Sequence, residues 1–435
     1  MFVIYIYITA DYVLIMSETS SDGDDNNDLW SDLIPEELLL IIFSIGAQQY
    51  GPVPYLCRTA QVCHRWYQVS YHPSLWSEVD LSIGWITRDL SGLEILCKTR
   101  LYRTVFLDLT AWFGMTDQHL QCILNYCKHL RSLKLAHCSK LTTEGMMCLI
   151  HNRLELNELD ISFTSPAISS HRCLQRLVPY LGNTLKKLHL SNVCVDNHFD
   201  GILHQITVHC RHLTYLDLTQ LSYSFVELSI IMLDIEAFQY GCPNLEVLLM
   251  EKSFFKAKPA LEEVKVFSPG FPKLNTFSAP ENVTDEFLQR ILKSSFDLES
   301  LKMNFKHSQD AHCQRLSIVS LKRLVIHGAR PQQIYVYWHS SLVYLELSWL
   351  KSPLRSDAID TFMKRIFDTR GPQFTALSSL LLCGCPVTAY GIRPVFDCCP
   401  KLNQLNLNFC AKLPHGWSRD YRGAELMVFK HVVLR

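Results

Sequence analysis

The sequence predicts an α/β protein in which a short all-helical unit precedes a long solenoid of parallel strands and helices, a parallel-strand horseshoe. Three observations point there. Eleven copies of a Leu-x-x-Leu-x-Leu pattern recur between residues 130 and 407. Cysteines fall at two fixed offsets from those copies. Ahead of them, roughly fifty residues carry more apolar surface than so small a unit can bury by itself.

Composition narrows the function classes first. Of 435 residues, 48% are hydrophobic, enough to bury a large core and to exclude global disorder. Lys+Arg number 41 against 42 Asp+Glu, for a net charge of −1. No net positive field exists to coat nucleic acid or to bind an anionic membrane surface.

Residues 1–29 form the first segment. Residues 1–16 read MFVIYIYITADYVLIM, nearly all apolar and without Lys or Arg. They fall short of the roughly 18–20 apolar residues of a spanning helix and lack the basic start of a signal peptide, so membrane anchoring is disfavoured. The acidic run SETSSDGDDNND at 17–28 reads as a solvated linker.

The helical unit occupies 30–80. Asp32 can cap a first helix, and Pro35 suits its first turn. Leu38, Leu39, Ile41, Ile42 and Phe43 then give it a broad apolar surface. Gly51, Pro52 and Pro54 break the chain, and a second helical run extends from Tyr55 to Val69. His72-Pro73 stops it, and Leu75-Trp76 closes the unit. Surplus apolar surface on so small a unit marks a partner interface or docking on neighbouring repeats.

These residues resemble the F-box family. Ile34-Pro35-Glu36-Glu37-Leu38 with Ile42-Phe43 is similar to the F-box opening LPxEL…IF, and Arg58 with Val62-Cys63-His64-Arg65-Trp66 to its second helix. Leu75-Trp76 matches the closing LW, whereas the 47–54 stretch is longer than the usual turn. The resemblance implies binding of the adaptor Skp1, and through it of a cullin-1/RING ubiquitin ligase. The positions it assigns to the adaptor are Ile34, Pro35, Leu38, Ile42, Phe43, Val62, Trp66 and Trp76.

Residues 81–413 carry the repeats. Their first leucines are Leu130, Leu156, Leu185, Leu213, Leu245, Leu274, Leu298, Leu321, Leu342, Leu377 and Leu402, spaced 21–35 residues apart, which is the leucine-rich-repeat range with outliers. A degenerate copy lies at Leu107 and Leu109, and Val79 with Leu81 can start the sheet. Each copy predicts a short strand with alternate leucines inward, closed by a helix such as 142–151 or 285–293. With strands about 4.8 Å apart, eleven of them line a concave face roughly 48 Å long.

Seventeen cysteines at first suggest disulfides or zinc. The count is odd, the chain is too long to need staples, and Cys383, Cys385, Cys398, Cys399 and Cys410 contain no CxxC pair. The repeat places them instead. Cys127, Cys210, Cys242 and Cys399 precede a first leucine by three residues, and Cys138, Cys385 and Cys410 follow one by eight. Both slots call for a small buried group, so reduced thiols and a cytoplasmic or nuclear location are expected. No phosphate loop, HExxH or GxSxG is present. His137 beside Cys138 reads as a loop residue next to a packing thiol. No active site, metal or cofactor is expected.

Residues flanking the inward leucines should face a partner: Lys134, Asp160, His189, Tyr215, Asp217, Val247, Leu249, Glu251, Lys302, Arg323, His327, Tyr344 and Glu346. Val247 and Leu249 near Tyr215, rimmed by Asp217 and Glu251, make an apolar spot suited to a target protein or to packing against 254–271. Residues 414–435 should cap the array. The helical unit followed by cysteine-type repeats resembles the F-box/leucine-rich-repeat family over nearly the whole chain, which implies a non-catalytic substrate adaptor of an SCF ubiquitin ligase. A repeat scaffold with no ligase role is the alternative.

Overall fold

The structure, a computed structural model, describes residues 34–82, 90–169, 171–196, 198–223, 230–306, 320–334, 341–351, 358–368 and 374–434. The expected leader, the acidic linker and the Asp32 cap lie outside the described residues. The chain divides into two compact units, 1–196 and 197–435.

The first unit opens with helix α1 (Glu36–Tyr50), which turns Leu39, Phe43, Gly46 and Ala47 inward. Gly46 is required by close approach: a Cβ there would lie 2.1 Å from the Tyr55 ring. Gly51, at φ 84°, turns the chain directly into α2 (Pro52–Thr59). The prolines expected to break the chain therefore open a helix, because a first-turn proline loses no backbone bond. The run expected to continue to Val69 is also two helices. Cys63 is extended and its Sγ accepts from the Trp66 N–H at 3.4 Å, capping α3 (His64–Ser70). A 3-10 turn, Pro73–Trp76, follows.

Strand β1 (Glu78–Asp80) starts a parallel sheet, as Val79 and Leu81 suggested. It is followed by α4 (Leu90–Thr99), β2 (Phe106–Asp108), α5 (Asp117–Tyr126), β3 (Ser132–Lys134), α6 (Thr143–His151), β4 (Glu158–Asp160), α7 (His171–Leu181) and β5 (Lys187–His189). Register runs Val79, Leu107, Leu133, Leu159, Leu188 from strand to strand. All five are buried, and one full apolar side chain so buried stabilises by about 1.5–3 kcal/mol.

The second unit repeats the plan. It contains α8 (Phe199–His209), β6 (Tyr215–Asp217), α9 (Ile235–Gly241), β7 (Val247–Leu249), α10 (Glu262–Phe267), β8 (Thr276–Ser278), α11 (Asp285–Ile291), β9 (Ser300–Asn304), β10 (Arg323–His327) and β11 (Tyr344–Ser348). Then come α12 (Ala358–Ile366), β12 (Ser379–Leu381), α13 (Ala389–Cys398), β13 (Gln404–Asn406), β14 (Asp420–Arg422) and α14 (Gly423–Leu434). The buried ladder is Leu216, Leu248, Phe277, Leu301, Leu324, Leu345, Leu380, Leu405. The closely spaced repeats carry the longest strands, five residues each in β9, β10 and β11. β14 is antiparallel to β13, and the buried Leu426, Phe429 and Val433 of α14 cover the end of the unit.

Both cysteine slots have a structural reason. Cys127, Cys210, Cys242 and Cys399 are each the C-cap residue of a helix, with the N–H returned to the carbonyl four residues back. In the other slot the thiols of Cys138, Cys385 and Cys410 donate to the carbonyls of Leu109, Leu347 and Leu382, the last leucine of a preceding repeat. A further recurrent position has no sequence signature. Two residues after the last inward residue, the chain turns left-handed at Ala111, His137, Phe163, Asn192, Gln220, Lys252, Gly328, Trp349, Gly384 and Phe409.

Candidate functional site

In the helical unit, residues four and seven apart sort α1 into two apolar stripes. Leu39 and Phe43 pack inward, and Phe43 meets the Trp66 ring edge-on at 5.2 Å. Leu38, Ile41, Ile42 and Ile45 project outward, all about half exposed, and Val62 is 61% exposed. Single exposed apolar residues need no explanation, but four on one helical stripe form a patch. Of the positions expected to face an adaptor, Leu38, Ile42 and Val62 are available. Pro35 is exposed at the N-cap, and Ile34 is held by its carbonyl, which accepts from Arg65 Nη2 at 2.5 Å.

Phe43 and Trp76 correct the expectation: both are 0% exposed. The Trp76 indole donates to the Ser70 carbonyl at 2.7 Å, its own carbonyl accepts from Thr104 Oγ1 at 2.8 Å, and the Arg100 guanidinium lies 5.0 Å from its ring. These two aromatics assemble the unit and present nothing to a partner. Trp66 is half-buried, leaned on Phe43. Ile41 and Ile45 are the exposed residues the motif comparison missed. Their signal was present, because apolar residues at 38, 41, 42 and 45 interleave with those at 39, 43, 46 and 47.

On the strands, the outward residues of the first unit are mixed in charge. Glu158 accepts from Ser132 Oγ at 2.9 Å, with His189 Nε2 at 3.4 Å and Lys134 Nζ at 4.0 Å. The His189 contact, aided by Ser132 and Lys134, holds its carboxyl down at about 2. Burial, with Asp80 beside it in register, pushes the Asp108 carboxyl up. Asp80, Asp108, Asp160 and Asp217 share a task that the target-facing reading overlooked. Each accepts from the backbone N–H two residues on, at 2.8–2.9 Å, and so shapes the turn after its strand. The repeated Asp-(Leu/Ile)-(Ser/Thr) triplets at 80, 108, 160 and 217 are its sequence signature.

In the second unit the expected target-facing residues gather into two groups. Tyr215 lies in register beside Val247, and Asp217 beside Leu249, all half-buried. Glu251 pairs with Lys302. Farther along, the Arg323 guanidinium lies over the Tyr344 ring, 3.8 Å from its centroid. The Tyr344 hydroxyl donates to Glu346 Oε2 at 2.8 Å, while Oε1 meets His327 Nε2 at 2.8 Å and accepts from Ser348 Oγ at 3.0 Å. The His327 contact leads in holding the Glu346 carboxyl at about 2.

His137 is half-buried and left-handed, stacked 4.4 Å from Phe163. Burial pushes the neighbouring Cys138 thiol up to about 12. A thiol so protonated at neutral pH is a poor nucleophile. Among the described residues, no group of three or more His, Cys, Asp or Glu is placed to hold a metal ion, and no helix is long and apolar enough to cross a membrane.

Residues 31–82 match the family model described as F-box-like. The helical unit is an F-box-like domain. F-box protein SKIP19 of Arabidopsis thaliana is 28% identical over 219 residues, covering 45% of this chain and 70% of that protein. Putative F-box/LRR-repeat protein 23 of the same plant is 25% identical over 232 residues, 52% of this chain; the match spans about half, 48%, of that relative's length. Among solved structures, a chain of the yeast Rad7 and Elc1 complex is similar at TM-score 0.44 and 14% identity, over 87% of this chain and 94% of that one. The F-box-like domain is thus followed by leucine-rich-type repeats, whose parallel ladder is described above.

Proposed function

We propose that this chain is the substrate-recognition subunit of an SCF ubiquitin ligase. In this reading the F-box-like domain binds Skp1, which joins it to cullin-1 and the RING subunit, and the repeat strands hold a target protein. The observation that carries it is the second apolar stripe of α1, where Leu38, Ile41, Ile42 and Ile45 stand exposed, as Val62 does after α2. The chain's catalytic contribution is proximity, raising the effective concentration of target lysines beside the loaded ubiquitin enzyme. In this reading the order of parts, the Gly51-Pro52 insertion and the 413–423 tail resemble those of F-box/LRR-repeat protein 6. Free, mostly buried thiols fit a reducing compartment, cytoplasm or nucleus.

Co-purification tests the reading. Wild type should recover Skp1 and cullin-1. A Leu38→Glu/Ile42→Glu double variant should lose both by tenfold or more while keeping its melting temperature, because neither side chain is part of the core. Equal recovery by the two proteins, or none by wild type, overturns the adaptor role. Repeat-dependent partners captured without any cullin would support the scaffold alternative.

A further inference from the structure

We propose that Arg323, with the Ser300 hydroxyl beside it, is a carboxylate-recognition point that takes an acidic side chain of the target polypeptide. The proposal rests on the reading that a target docks on the outward strand faces, and it names the chemistry of one contact.

Arg323 differs from the cations around it. Lys302 pairs with Glu251, and Lys322 with Glu299 at 2.5 Å, whereas no carboxylate lies within ion-pair distance of Arg323 among the described residues. It is an exposed side chain at the first outward position of β10, in register with Ser300 on one side and Tyr344 on the other. The ring beneath it is fixed. Tyr344 is anchored through its hydroxyl to Glu346, and Glu346 is held in turn by His327 and Ser348. A guanidinium held over an aromatic ring has more N–H groups than that ring can occupy, and its planar fork matches a carboxylate or phosphate. Ser300, one strand away, makes no side-chain hydrogen bond among the described residues, and its hydroxyl can donate to the second oxygen of the same anion.

The surrounding field selects between the two anions. Glu346 stands on the strand next to Arg323 and is ionised throughout the neutral range. One guanidinium neutralises a carboxylate in full, whereas a doubly charged phosphate keeps one charge unpaired beside Glu346. The cluster therefore favours glutamate or aspartate over a phosphorylated residue. A free chain-terminal carboxylate offers the same chemistry from a different source.

The test uses the full chain bound to its adaptor and degenerate peptide pools fixed at the centre with glutamate, glutamine or phosphoserine. A further pair of pools carries either a free or an amidated C-terminus. Wild type should retain the glutamate pool about tenfold over the glutamine pool. Arg323→Gln should erase that preference, and Arg323→Lys, which keeps the charge without the planar fork, should restore only part of it. An Arg323-dependent preference for the free over the amidated terminus also supports the carboxylate site and identifies the chain end as its source. Equal retention of the glutamate and glutamine pools, a preference that survives in Arg323→Gln, preference for phosphoserine over glutamate, or no retention at all overturns it. Adaptor capture is read in the same samples. Intact capture with charge-blind peptide binding would remove Arg323 from recognition and leave the adaptor reading standing.

Discussion

At the residue scale, what the sequence hid is mostly a matter of backbone. The leucine and cysteine columns could be read because their chemistry is uniform: an apolar group or a small thiol in every copy. The left-handed column could not, because Ala111, His137, Phe163, Gln220, Trp349 and Phe409 share a φ and no side-chain property. Its glycine at 384 is dictated by a neighbour as well as by φ, since a Cβ there would come within 2.4 Å of the Trp349 ring. Glu251 and Glu346, expected to face a partner, spend much of their bonding capacity within the chain. Glu346 shows this best, with three donors on two oxygens and a carboxyl lowered from an ordinary 4.5 to about 2. An acid depressed by folding adds stability that is fully present above its unfolded pKa and is lost as pH falls through the folded one. Wild-type stability should therefore decline between about pH 4.5 and about 2 through this group. Glu346→Gln should be less stable than wild type at pH 6 and nearly equal to it near pH 2, as measured by urea midpoints. A gap that stays constant across that range would show that the carboxylate's charge plays no part.

At the scale of elements, helix α1 shows why a motif match locates a domain better than it assigns contacts. The F-box-like spacing was legible, but it lists inward and outward residues together, and only periodicity separates Phe43 from Ile42. Pro52 and Pro54 look like breakers in sequence, yet a helix that begins at Pro52 loses nothing at its first turn. Elements also meet through contacts that no pattern announces. Arg290 of α11 reaches Glu236 of α9 in a paired contact, Nε to Oε1 at 2.8 Å and Nη2 to Oε2 at 2.5 Å, and Nη2 also donates to the Lys258 carbonyl. The side chains are 7% and 3% exposed. Removing one partner strands a buried charge, whereas replacing both with apolar groups strands none. Arg290→Met should therefore cost about 3–5 kcal/mol, and adding Glu236→Leu should recover most of it. Denaturant unfolding of the two variants decides this, and a double variant as unstable as the single one would mean that the pair is needed for more than mutual neutralisation.

At the scale of the whole molecule, the repeat period carried the prediction because it is redundant: a weak copy, such as Leu274-Phe277-Ala279, is placed by its neighbours. Nothing similarly redundant marks the end of the array, where β14 runs antiparallel and the sequence offers no further copy of the pattern. There Phe429 of α14 stacks 3.9 Å from Tyr421 and meets Trp417 and Phe396 edge-on, and Arg393 donates to the Val433 carbonyl. A solenoid is stabilised by contacts between nearest neighbours, so losing a terminal cover should be felt locally and fade within a few repeats. Deleting residues 423–435 removes the side chains that bury Tyr421 and exposes the outer surface of the last repeat. Hydrogen exchange should then accelerate in β13, less in β12, and stay unchanged in β1–β5. Acceleration of equal size in β1–β5 would mean that the two compact units unfold as one cooperative body, and the description of stability as a sum over neighbouring repeats would fail for this chain.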